Sequence, residues 1–208
     1  MLAYQTVLQK SKVEINIQKS RFIAECMPVA DVETATKELA AIKKQSWDAA
    51  HHCYAYVIDP DGNTMRYSDD GEPSGTAGQP ILEAIRYKSI TNALCVVTRY
   101  FGGVLLGAGG LVRAYTRAAG EAVRLAKPVW MRPCGIYFMK VEYACWGGLV
   151  PLLQGFGAVE DICYEDTVTL SVKVPLENRD HFEKAVIEHT GGGIKPRMRQ
   201  TRYGMFEQ

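Results

Sequence analysis

Arg99 and Arg113 bracket a segment that holds five glycines in nine residues: Gly102, Gly103, Gly107, Gly109 and Gly110. Glycine lets a backbone take positive φ or approach another group closely, and arginine adds a planar fork of N–H donors. A site made of main-chain N–H groups and guanidinium groups suits a phosphate or another anion. A stretch with helical periodicity follows, so the segment ends at a helix N-terminus, with unpaired N–H groups and the positive end of a dipole. The segment is not a Walker loop, because no Lys-Ser/Thr pair follows. Gly107-Ala108-Gly109 also lacks the third spaced glycine of a dinucleotide fingerprint. Tight strand–helix packing would account for the same glycines, and a solvated helix face for the same arginines.

At about 100° per residue from Leu111, the residues Tyr115, Ala118, Ala122 and Leu125 fall within roughly 40°, a core stripe. Arg113, Arg117 and Arg124 fall at roughly 200–240°, on the opposite side. Arg113 and Arg117 are neighbours at i and i+4. A second polar, glycine-rich loop precedes another helix: Asp69-Asp70-Gly71-Glu72-Pro73-Ser74-Gly75-Thr76-Ala77-Gly78. Its end is a second helix N-terminus, read as a second wall of the same cleft. Asp69, Glu72, Ser74, Gly75, Thr76 and Gly78 are its candidate site residues. Adjacent strand residues point to opposite faces, so only one of His51 and His52 can face the cleft, and His52 is the candidate. No HxH, HExxH or carboxylate spacing fixes a cation; neither a metal nor a cofactor is expected. No residue is marked out as a nucleophile. Ser74 lacks a G-x-S-x-G setting, and no cysteine has a basic neighbour in sequence. Tyr100 and Phe101 beside Arg99 suit single-stranded nucleic acid, though burial explains them equally well.

The elements that must position these residues read as follows. Val13–Ile17 and Arg21–Val29 are strand candidates. Asp31 caps a helix over 32–46 whose apolar face is Val32, Ala35, Leu39 and Ile42. His52–Ile58, a turn at Asp61-Gly62-Asn63 and Thr64–Tyr67 form a hairpin. A helix over 79–88, the strand Ala93–Thr98 and the helix ending near Ala126 complete the first part. Pro128 and Pro133 make a stiff, extended connection at 127–135, dividing domains over 1–130 and 134–208. The second part reads as strand 136–143, a helix at 146–154 that contains Pro151, strands 158–165 and 167–174, a helix over 178–189 and a strand near 194–203. Phe182, Ala185, Val186 and His189 form the apolar face of that last helix. This βαββαβ rhythm is the ferredoxin-like pattern, so the fold class is α+β.

The net charge of +1 on 208 residues predicts no bulk attraction to a polyanion. Residues 1–133 carry 16 basic and 13 acidic side chains, whereas residues 134–208 carry 8 and 10. No apolar run of about 18 residues is present, so no membrane span is expected. The N-terminus lacks a signal-peptide layout. The six cysteines form no CxxC pair and most lie in apolar runs, which reads as core thiols of a cytoplasmic protein.

Several segments together resemble the IMPACT / YigZ family over roughly residues 19–126: Gly78-Gln79-Pro80-Ile81-Leu82, Arg99-Tyr100-Phe101-Gly102-Gly103-Val104-Leu105-Leu106-Gly107 and Gly109-Gly110-Leu111-Val112-Arg113-Ala114-Tyr115, with the His52 strand and the Asp69–Gly78 loop. The resemblance implies a first domain like domain 2 of ribosomal protein S5. It also implies a second domain like the last domain of elongation factor G, and contact with RNA, the ribosome or a translation factor. Eukaryotic members regulate translation by competing for an activator of an initiation-factor kinase. They carry an extra N-terminal partner-binding domain, and this chain is expected to start too late to hold it. Some bacterial relatives carry peptidase labels, which no ligand set here supports.

The leading expectation is a non-enzymatic, cytoplasmic, translation-linked regulator that binds RNA or a translation component through the first-domain cleft. One alternative is an enzyme acting on a small phosphorylated or carboxylated metabolite, with His52 and a loop carboxylate as acid–base groups. Another is a protein-interaction module.

Overall fold

The computed structural model describes residues 2–206. The chain is mixed α+β, with two sheets and five α-helices among the described residues. It divides into two compact units, one over Tyr4–Trp130 and one mainly over Met131–Phe206.

The first unit contains β1 (Tyr4–Val7), β2 (Ser11–Ile17), β3 (Ser20–Pro28), α1 (Val32–Gln45), β4 (His51–Ile58), β5 (Thr64–Ser68), α2 (Gly78–Arg86), β6 (Ala93–Tyr100) and α3 (Gly107–Leu125). Its main sheet runs β2-β3-β6-β4-β5, antiparallel throughout. Side chains alternate between the two faces of a strand, and here both faces are covered. Phe22, Ala24, Cys53, Ala55, Val57, Cys95 and Val97 pack with α2 and α3. Met27, Tyr56, Ile58, Leu94 and Val96 pack with α1. The central strand β6 is therefore an unbroken buried run from Ala93 to Arg99.

Asp31 caps α1, its carboxylate accepting from the Thr34 N–H at 2.7 Å. Ala35 and Ile42 are buried, but Val32 is exposed. Along α3, Leu111, Tyr115, Ala118 and Ala122 are buried, joined by Ala114, Ala119 and Val123, while Leu125 is exposed. Both exceptions are terminal residues of their helices, where the apolar stripe leaves the packed layer.

The second unit is built from β7 (Pro128–Val141), α4 (Tyr143–Phe156), β8 (Ala158–Tyr164), β9 (Val168–Pro175), α5 (Arg179–His189) and β10 (Arg197–Met205). β7 lies between β10 and β9, with β8 outside β9, and all neighbours are antiparallel. Alternate residues Tyr137, Met139 and Val141 of β7 and Val168, Leu170, Val172 and Val174 of β9 face Leu149 and Leu153 of α4 and Phe182 and Val186 of α5. His189, the last residue of α5, is exposed instead. The segment expected as a connection is strand, because β7 already begins at Pro128. Proline's fixed φ suits extended chain and costs only a ladder donor. Four of the six cysteines are buried, in keeping with the reading of most of them as core thiols, whereas Cys145 and Cys163 are exposed.

Candidate functional site

The row of residues His51, Arg99 and Phe22 crosses β4, β6 and β3 in register, on the face covered by α2 and α3. Arg99 is only 5 % exposed. Its Nη1 donates to Glu72 Oε1 at 2.7 Å, and its Nη2 donates to Ser20 Oγ at 3.3 Å. The Tyr115 hydroxyl donates to the same Glu72 oxygen at 2.7 Å. Burial pushes the Tyr115 hydroxyl far above its ordinary range, with Cys53 and Glu72 acting in the same direction, so it stays a donor at all physiological pH. The Cys53 thiol is pushed up to about 12 by burial and is not a nucleophile in waiting. Removing one partner of a buried ion pair such as Glu72–Arg99 costs about 3–5 kcal/mol, because it strands the other charge.

The Arg99 Nε lacks a hydrogen-bond partner, alone among buried side-chain nitrogens and oxygens of the described residues. Arg99, Glu72 and His51 line a cleft of about 370 Å³, together with Phe101, Leu105 and the first turn of α3 at Gly107 and Ala108. Phe101 and Leu105 are 51 % and 85 % exposed. Among the described residues no side chain caps the start of α3. His51 Nδ1 lies 2.9 Å from the Asp70 carbonyl oxygen. A carbonyl only accepts, so Nδ1 carries the hydrogen and Nε2 is left toward Glu72 Oε1, 4.0 Å away.

A second concavity, of about 360 Å³, lies on the other side of Leu106, which lines both. Its lining includes Gly110, Arg113 and Arg117 of α3, and Ile17 and Gln18 at the β2–β3 turn. Arg113 and Arg117 are exposed. The expected trio of arginines is therefore split: Arg99 is buried in the first cleft, and Arg113 and Arg117 line the second.

The glycines do different jobs. A Cβ on Gly102 would fall 2.1 Å from the Lys19 backbone, so this position is fixed by close approach to the β2–β3 turn. Gly107 opens α3 with φ +69°. Gly103 also has positive φ. Gly109 lies beneath the Arg113 guanidinium and Gly110 beside Leu106.

The start of α2 is not a second wall of this cleft. Asp69 accepts from the backbone N–H groups of Gly75, Ala77 and Gly78 at 3.0, 3.0 and 2.8 Å. Burial raises the Asp69 pKa, but these three N–H groups outweigh it and hold the carboxyl below its ordinary value. Its anion is thus built in. Thr76 is buried, its hydroxyl donating to the Pro73 carbonyl at 2.7 Å, and a Cβ on Gly78 would collide with the Ser68 backbone. Ser74 and Gly75 are exposed and do not line either concavity. From this loop only Glu72 and Pro73 reach the cleft.

His52 also turns away from the cleft. Its ring Nε2 bonds the Ser46 carbonyl oxygen at 3.0 Å, behind α1, and its N–H donates to Asp70 Oδ2 at 2.7 Å. Asp70 is further held by Lys43 at 2.9 Å. His51 takes the cleft position instead. Strand parity holds the signal: the odd residues Cys53, Ala55 and Val57 form the face toward α2 and α3, and His51 shares their parity. Leu105 carried no such signal, because it lies in irregular chain, whereas Phe101 was marked only by its place beside Arg99.

Among the described residues no group of three or more His, Cys, Asp or Glu side chains is placed to hold a metal ion. Among them no helix is long and apolar enough to cross a membrane.

Comparison with known proteins places this geometry in a family. The Impact N-terminal domain model matches residues 18–123, and DUF1949, a domain of unknown function, matches residues 139–192. The chain is 36 % identical to the IMPACT family member YvyE of Bacillus subtilis, over 91 % of this chain and 88 % of YvyE. It is 34 % identical to the IMPACT family member YigZ of Escherichia coli, over 86 % of this chain and 89 % of YigZ. Protein IMPACT of Rattus norvegicus is 34 % identical over 45 % of this chain and 30 % of the rat protein. A crystal structure of a hypothetical protein superposes with a TM-score of 0.62 and 32 % identity, covering 96 % of this chain and 98 % of the other. Since the domain model spans half of the chain and the bacterial relatives align along most of their length, the chain belongs to the IMPACT family.

Proposed function

We propose that this protein is a translation-linked regulator that acts by binding RNA, not by catalysis, through the face formed by the start of α3. The observation that carries this reading is the pair of concavities sharing Leu106, one with an uncapped helix N-terminus and the other with Arg113 and Arg117. The two adjoin at Leu106, which lines both. Phe101 and Leu105 add exposed apolar area on which bases can stack. In this reading residues 1–130 are a domain like domain 2 of ribosomal protein S5. Residues 134–208 are a ferredoxin-like domain like the last domain of elongation factor G, a reading supported by the strand order β10-β7-β9-β8. The site of action is the cytoplasm, a placement supported by the free thiols of all six cysteines.

Fluorescence anisotropy with a labelled single-stranded RNA tests the reading. Phosphate contacts release counterions, so affinity should fall steeply between 50 and 200 mM salt, by about 10-fold or more for two or three contacts. Undetectable binding at low salt, or binding indifferent to salt, would overturn it.

A further inference from the structure

We propose that Gln18 reads a base edge of single-stranded RNA in the concavity lined by Arg113 and Arg117, and so gives this surface a sequence preference. The inference rests on the RNA reading above and deepens it from a charged surface to a base-selective one. It starts from a turn whose residues do not suit it. Ile17 of β2 pairs with Ser20 of β3, so Gln18 and Lys19 alone make the hairpin turn. Their φ values are +44° and +68°, both left-handed, as a type I′ turn demands. Such a turn calls for Asn-Gly, Asp-Gly or Gly-Gly, and a long side chain at positive φ is strained. Contacts beneath hold the strain in place. Gly102 brings its backbone against that of Lys19, where a Cβ would collide, and its N–H donates to Ser20 Oγ at 3.2 Å. Strain of this kind persists where the surroundings over-determine it, and it gathers at functional sites. Closing the hairpin does not explain Gln18, so what its side chain meets must.

Gln18 and Ile17 line the concavity of about 360 Å³ from the turn, Arg113 and Arg117 line it from α3, and Leu106 adds apolar surface. No acid lies in the lining. Among the described residues the side chains of Gln18, Arg113 and Arg117 make no hydrogen bond or ion pair with the protein. Each feature has a counterpart in a nucleotide. Two unpaired guanidinium groups one helical turn apart suit the phosphates. Ile17 and Leu106 suit the face of a base. A Gln amide donates and accepts from one planar group, so it can make a paired contact with a base edge, and adenine is its usual partner. In a single strand that edge is open to side chains, whereas the deep, narrow major groove of duplex RNA hides it. The labour divides as phosphate contacts that position and a base contact that specifies. A ligand held by its phosphates alone would leave the unsuited turn residue without a reason.

The test compares the full chain with Gln18→Gly and Lys19→Gly. Each is titrated by fluorescence anisotropy, at one salt concentration, with labelled oligo(A) and oligo(U) RNA of equal length. Both variants give the turn a residue free to take positive φ, so Tm should hold or rise in both. The unaltered protein should favour oligo(A) by about tenfold. Gln18→Gly should bring that ratio to within about twofold of unity, because the reading amide is gone. Lys19 does not line the concavity, so Lys19→Gly should keep the ratio while binding both oligomers more weakly through its lost charge. A ratio unchanged by Gln18→Gly, a ratio lost equally in both variants, or no preference in the unaltered protein overturns base reading and leaves the RNA reading standing. A fall in Tm in both variants alike would mean that these side chains serve the turn itself, and also overturns it. Binding of neither oligomer by the unaltered protein overturns the RNA reading, and base reading with it.

Discussion

The starts of α2 and α3 look alike as chain, each a helix entered from a glycine-rich loop, yet they are opposite in kind. The α2 start is closed: Asp69 reaches back across the loop and supplies three N–H groups with a carboxylate. The α3 start is open, with no side-chain cap, and faces a cleft whose wall holds Arg99 and Glu72. A helix N-terminus is thus an anion site only where the fold has not already filled it. The same contrast separates the acids. Asp69 is consumed by the backbone and Asp70 by Lys43 and His52, whereas Glu72 balances a buried arginine at the edge of the open cleft.

The largest expected effect falls on the wall of the open start. Glu72→Ala strands Arg99 and should cost about 3–5 kcal/mol in urea unfolding, whereas Glu72→Ala with Arg99→Met should recover much of that loss. A double variant as unstable as Glu72→Ala alone would show that the pair is not the cause. Next comes the closed start. Asp69→Ala leaves three backbone donors without their acceptor and should cost about 2–3 kcal/mol by the same measurement.

That cap is also sensitive to acid. The folded pKa of Asp69 lies below its reference of 3.8, so its contribution is complete above that reference and is lost as pH falls through the folded value. Asp70 behaves in the same way, because Lys43 and the His52 N–H outweigh the effect of its burial. Tm should therefore hold down to about pH 5 and drop below about pH 4. Asp69→Asn should drop less over the same interval, and an equal drop would remove Asp69 as a cause. The smallest effect compares added charge at the two starts. Ala108→Glu should stabilise the uncapped α3 by about 0.3–1 kcal/mol. Gln79→Glu at the filled α2 start should give nothing, because it also faces Glu83, which Gln79 now bonds. Equal gains in Tm would erase the distinction.

Much of the fold was legible because it rests on short periods. Alternation marked β2 and an apolar run marked β6, although β1 carried no such pattern; Asp31 marked the start of α1, and the 100° stripe placed Arg113 and Arg117 on the exposed side of α3. The misses share one physical origin, which is contact over distance. That Asp69 would cap a helix nine residues later depends on the path of the loop, not on local spacing. His52 was chosen over His51 although parity with Cys53 and Ala55 favours His51, because the face toward α3 is known only once α2 and α3 are docked. The arginines read as one set because sequence proximity hid the ridge at Leu106 that parts Arg99 from Arg113.

The claim that the open start and its arginines form the binding face is tested most directly by one matched pair of variants. Arg113→Ala/Arg117→Ala and Arg86→Ala/Lys88→Ala each remove two positive charges, the first pair beside the open α3 start and the second at the far end of α2. RNA affinity measured by anisotropy at one salt concentration should fall about tenfold or more in the first, with the salt slope reduced by about 2, and stay within about twofold of the unaltered protein in the second. Equal losses in the two would mean that only net charge is being read, and would contradict the account.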